Sequence, residues 1–128
     1  MVISFIKNHS YKLAVLWALV ILGLCSMPGR FIPSANWLEL LSFDKWVHAG
    51  IFFALLGLLQ VAVVAHGQTK NLSYFYFILC VLYGGALELM QVTLFSERSA
   101  DWYDVIANSF GCLLAFVLNT KITRLVFK

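Results

Sequence analysis

The chain has 128 residues, 62% of them hydrophobic and only 12% charged, with nine basic residues against six acidic and a formal net charge of +3. A mean hydropathy of +0.87 at this length excludes an ordinary soluble domain and leaves one membrane-embedded unit, residues 1–128. The basic residues are scattered rather than clustered, which argues against a nucleic-acid partner.

Four apolar stretches follow in chain order, at about residues 11–27, 45–65, 72–95 and 102–118. The first is flanked by Lys7 and Lys12 and ends at Pro28-Gly29. A bulky Leu24 before Cys25 and the absence of a small-residue cleavage site make it a membrane helix rather than a removable signal. Phe31 to Phe43 reads as a loop whose Trp37, Leu38, Leu40 and Leu41 form a short interfacial segment. The second and third stretches match the ~20 residues that cross ~30 Å of hydrocarbon. The fourth is shorter and is followed by a basic tail carrying Lys121, Arg124 and Lys128. The predicted fold is therefore all-α, a compact bundle of four transmembrane helices.

Cys25, Cys80 and Cys112 lie inside apolar segments without ligand-like spacing and read as small packing residues. Gln60 reads the same way. Trp37, Trp46, Trp102 and Tyr103 are expected to be interfacial anchors.

Lysine and arginine near span ends resist translocation, so their distribution sets orientation. With both termini cytoplasmic, Lys7, Lys12, Lys70, Lys121, Arg124 and Lys128 lie inside, and Arg30, Lys45 and Arg98 outside. This threading gathers all six acidic residues, Glu39, Asp44, Glu88, Glu97, Asp101 and Asp104, at the outer side.

Ionisable groups in or beside a span are costly, and each marks a candidate site. Asp44 and His48 are four residues apart and share a helix face, with Lys45 beside them. Glu88 and Gln91 stack at i, i+3, and Gly84, a turn deeper, leaves room for a neighbouring backbone. Asp104 and Asn108 repeat the i, i+4 spacing, and Ala107, Gly111 and Ala115 form a small-residue stripe suited to a neighbour within the chain or to a second copy. Arg98 supplies the guanidinium fork that suits a carboxylate or phosphate.

Four roles fit this set. Lys45, Arg98 and two helix N-termini can bind an anion, such as a lipid headgroup or a lipid-linked cell-wall precursor. His48, Glu88 and Asp104 are plausible metal ligands, but no compact ligand motif is present, so neither metal nor cofactor is assigned. His48 beside a carboxylate can act as a general base in a hydrolase or transferase. The whole set can also simply lock helices together, at roughly 0.6 kcal/mol per interhelical hydrogen bond. Binding ranks ahead of catalysis, because no nucleophile is evident and so many ionisable groups exceed what packing needs.

Asp44-Lys45-x-x-His48 opening one span, Glu88-x-x-Gln91 closing the next, then Arg98 and Asp104-x-x-x-Asn108-x-x-Gly111 together resemble the VanZ-like family of small membrane proteins. The resemblance runs from Phe43 to Leu118. It implies a multi-pass protein of the bacterial cytoplasmic membrane. The family's name-giving member lowers susceptibility to teicoplanin, and many relatives have no such role. The motif positions it marks are Asp44, Lys45, His48, Glu88, Gln91, Arg98, Asp104 and Asn108.

Overall fold

The computed structural model describes residues 1–25, 43–94 and 102–127. Five helices account for nearly all of them: α1 (Val2–Cys25), α2 (Phe43–Ala65), α3 (Lys70–Leu94), α4 (Trp102–Val117) and α5 (Asn119–Val126). No strand occurs among the described residues. The interfacial segment expected between the first two spans lies almost wholly outside them, as do Arg30, Trp37, Glu39, Glu97, Arg98 and Asp101.

Two helices are long and apolar enough to cross a membrane, α2 over Lys45–Ala65 and α3 over Lys70–Gln91. A third path exists if α4 and α5 are taken together across their 61° bend. Alone, α4 has 16 residues, about 24 Å at 1.5 Å per residue. α1 falls short within the described residues because its first half contains the polar run Lys7–Ser10 and Lys12. That leaves Leu13–Cys25 as its apolar part.

Helix extends beyond the apolar stretches at two places. α1 begins at Val2, ahead of the apolar stretch, because Lys7, Asn8, His9 and Ser10 continue the helix despite their polarity. The basic tail is helical and bent away from α4 at Leu118, whose φ of −87° and ψ of 4° leave the helical region. Ile122 and Val126, four residues apart, share one face there with Arg124 on the opposite one, a pattern suited to an interface.

α2 is the centre of the assembly and packs against every other helix, whereas the backbones of α1 and α3 approach at few points and meet through tyrosine side chains. Phe52, Leu55 and Leu56 of α2 form the core with Ile21, Leu87, Cys112 and Ala115. The outer surface is rich in large apolar side chains, Leu19, Ile78, Leu82, Leu89, Ile106 and Leu113 among them, while the polar Gln60, Glu88, Gln91 and Asn108 are buried. Such an arrangement suits a hydrocarbon solvent, because polar side chains gain only by turning inward.

The small-residue stripe is used within the chain. A Cβ on Gly111 would stand 2.0 Å from the Ala49 carbonyl oxygen, so glycine is what allows α2 and α4 to approach. Ala115, one turn on, is fully buried. Across the bundle, the thiols of Cys80 and Cys112 are buried neighbours between α3 and α4, both free. The side chain of Cys25 is outside the described set.

At the end where α2 turns into α3, Gly67 adopts a φ of 61°. Its N–H donates to Val64 O at 3.1 Å and that of Gln68 to Val63 O at 2.9 Å, the paired bonds of a Schellman cap. Tyr11 of α1 donates to Gln68 Oε1, Tyr76 donates to Tyr11 Oη at 3.1 Å, and Ser73 donates to Gln60 Oε1. Higher up, Trp17 Nε1 donates to Ile51 O at 2.8 Å and Tyr83 Oη to Ala18 O at 2.6 Å, fastening α1 to α2 and α3.

Candidate functional site

Helices joined in antiparallel order place the start of α2, the end of α3 and the start of α4 at one end of the bundle. The polar side chains at those three termini converge. Lys45 Nζ donates to Asp104 Oδ1 at 2.6 Å, joining α2 to α4. His48, one turn into α2, has Nδ1 3.2 Å from the same oxygen, within ion-pair range but without hydrogen-bond alignment. Glu88 enters from α3, and donor atoms of His48, Glu88 and Asp104 all lie within 4.8 Å of one another.

Each helix positions its contribution by periodicity. Asp104 occupies the first turn of α4, where the unsatisfied amides and the helix dipole favour a negative charge. Asn108 follows one turn deeper and is 3% exposed. Its side chain fills the space over Gly84: a Cβ there would meet Asn108 Cβ and Nδ2 at 3.1 Å each. The room expected at Gly84 is therefore taken by a polar side chain rather than by a backbone. Asn108 Oδ1 is buried with no hydrogen-bond partner among the described residues. Gln91 lies on α3 one turn beyond Glu88 and is likewise buried, and Glu88 itself is 5% exposed.

Of the eight positions singled out by sequence, Lys45, His48, Glu88, Gln91, Asp104 and Asn108 belong to this end of the bundle. The backbone of Asp44 is in the first turn of α2, while its side chain and the whole of Arg98 lie outside the described residues. Trp46, Trp102 and Tyr103 ring the same end with exposed side chains. At the far end, the sequence reading takes Gln60 for a packing residue and does not name Ser73, which donates to it. A Gln in one span and a Ser at the start of the next was the available signal.

Lys45 is engaged by Asp104, so that the described groups of the nest are one ammonium, one imidazole and two carboxyl groups. Together they can hold a positively charged centre, orient hydrogen-bonding groups of a ligand, or exchange a proton through the His48–Asp104 contact.

Outward-facing apolar helices surrounding a buried polar nest define a membrane-embedded helical protein. The VanZ/LLP1 family model matches residues 5–124, and the chain belongs to that family. No match was found among curated proteins or among solved structures.

Proposed function

We propose that this chain is a multi-pass protein of the bacterial cytoplasmic membrane that binds the polar headgroup of an envelope amphiphile in the nest around Lys45, His48, Glu88 and Asp104. In this reading four spans form the bundle, α1 and α4 crossing with α2 and α3. Both termini are cytoplasmic and the nest opens at the outer leaflet, following the six-to-three distribution of Lys and Arg. The ligand is an anionic lipid or a lipid-linked cell-wall component, with Arg98 providing the second cation at the rim.

The observation that carries the reading is the convergence of ionisable side chains from three helices, Lys45, His48, Glu88 and Asp104, at one end of the bundle. Holding helices together does not require this chemistry, since the opposite end is joined by hydrogen bonds between neutral side chains and by the Lys7 ammonium over the Phe127 ring, with no carboxylate in these contacts. Native mass spectrometry of the detergent-purified protein tests the proposal. A co-purifying anionic lipid should be retained by the wild type and lost from Lys45→Gln and Arg98→Gln. Retention unchanged in both variants contradicts it.

A second reading has its own observation, the 3.2 Å approach of His48 Nδ1 to Asp104 Oδ1. Such a pair can serve as a general base, making the protein a hydrolase or transferase acting on lipid headgroups. Turnover of a phospholipid by purified protein, abolished in His48→Gln, would place this reading first. If the chain shares the activity of the family's name-giving member, expression in a susceptible host should change sensitivity to teicoplanin more than to vancomycin. An equal response to both removes the resistance role.

A further inference from the structure

The geometry points to a divalent-cation site: we propose that His48, Glu88 and Asp104 bind one first-row divalent metal ion, displacing the Lys45 ammonium from Asp104, and that the loaded ion is what receives an anionic headgroup. The inference rests on the headgroup-binding reading for its last clause only. The metal site stands on its own residues.

Three observations support it. The first is donor chemistry. One imidazole and two carboxylates, contributed by three different helices, form a borderline-hard set suited to zinc or manganese. Three protein ligands leave a coordination position open for water or for a ligand oxygen.

The second is spacing. Ligand bonds of ~2.0–2.2 Å put neighbouring donors of a tetrahedral centre roughly 3.3–3.6 Å apart. His48 Nδ1 and Asp104 Oδ1 are already 3.2 Å apart, and they are not aligned as a hydrogen bond. Donor atoms of all three residues lie within 4.8 Å of one another, near enough for one ion to draw them together by side-chain adjustment. Asn108, one turn deeper on α4 and packed over Gly84 of α3, has a side-chain oxygen with no partner among the described residues and can accept a hydrogen bond from a metal-bound water.

The third is charge. Among the described residues the nest sets two carboxyl groups beside one ammonium and one imidazole. A divalent ion held there adds positive charge and supplies a direct partner for a phosphate or carboxylate oxygen. Lys45 then has a definite role: its ammonium, 2.6 Å from Asp104 Oδ1, competes with the metal for that oxygen.

The competition makes the proposal testable without relying on loss-of-function variants alone. Wild-type protein in detergent is stripped with EDTA, then titrated separately with Zn²⁺ and Mn²⁺, with bound metal counted by elemental analysis after desalting. Wild type should take up one ion per chain. His48→Ala and Glu88→Gln should each weaken binding by about ten-fold or more. Lys45→Met should bind the preferred ion more tightly than wild type, a gain that misfolding cannot produce. Absence of saturable uptake of either ion by wild type overturns the proposal, as does uptake unchanged in both ligand variants or weakened in Lys45→Met. The same samples, mixed with vesicles containing an anionic phospholipid, separate the two claims. Metal uptake without lipid retention sinks the headgroup reading and keeps the site, whereas lipid retention indifferent to EDTA keeps the headgroup reading and sinks the metal's part in it.

Discussion

The two ends of the bundle are closed by different chemistry. At the α2–α3 turn, Tyr11, Gln68, Tyr76, Gln60 and Ser73 meet through neutral hydrogen bonds, each group polar enough to need a partner and none carrying charge. At the opposite end, Lys45, His48, Glu88 and Asp104 bring ionisable groups from three helices into one small volume. The neutral end demonstrates that this sequence can fasten helices with little desolvation cost. Ionic groups cost several kcal/mol each to bury before any pairing is counted, so helix fastening is a poor reason for the charged end.

The comparison can be broken first at the packing both ends share. Gly111→Leu forces a side chain into the Ala49 backbone, where even a Cβ would stand 2.0 Å from the carbonyl oxygen. Separation of α2 from α4 should cost about 3 kcal/mol or more and dissolve the charged end with it. Denaturant titration in detergent measures this, and an unchanged midpoint would mean that α2 and α4 are not in close contact.

Next in size is Asp104→Ala, which removes the carboxylate 2.6 Å from the Lys45 ammonium. Because the two side chains retain 24% and 13% exposure, water can enter and the loss should be about 1–3 kcal/mol rather than the ~3–5 of a fully buried pair. Lys45→Met in the Asp104→Ala background should recover part of that stability. No recovery would mean that the aspartate acts through some other partner.

The neutral end gives the smallest effect. Gly67→Ala puts a Cβ into a left-handed conformation with open space around it, so only backbone strain opposes it, at about 1 kcal/mol. The melting temperature should drop by a few degrees, with metal uptake and lipid retention unaltered. A loss of either would couple the two ends and contradict their separate roles.

Much of this was legible in the sequence because membrane helices leave a strong record there. α2 and α3 follow from apolar runs of sufficient length, and antiparallel threading alone assigns Lys45, His48, Glu88, Asp104 and Asn108 to one end. What could not be read were features set by helix rotation and rotamer. Which cation Asp104 takes, and that Lys45 and His48 share its Oδ1, depends on angles that spacing does not encode. Gly84 was legible as a gap, but its occupant, Asn108, was not. The helical start of α1 was obscured by Lys7, Asn8, His9 and Ser10, and α5 by a tail whose charge drew attention away from Ile122, Leu125 and Val126. The stripe on α4 left intrachain and intermolecular packing equally open until Gly111 was seen against Ala49.

A fourfold neutral variant, Lys45→Met, His48→Leu, Glu88→Gln and Asp104→Asn, tests the central claim most directly. Replacing buried ionic partners together by uncharged residues is commonly neutral or stabilising, by ~1–4 kcal/mol, and this variant does so for the nest's ionisable groups among the described residues. The variant should unfold at a denaturant midpoint equal to or above that of wild type while retaining neither lipid nor metal. A variant that unfolds several kcal/mol more easily, or that keeps its lipid, would show that the charged end exists to hold the helices together.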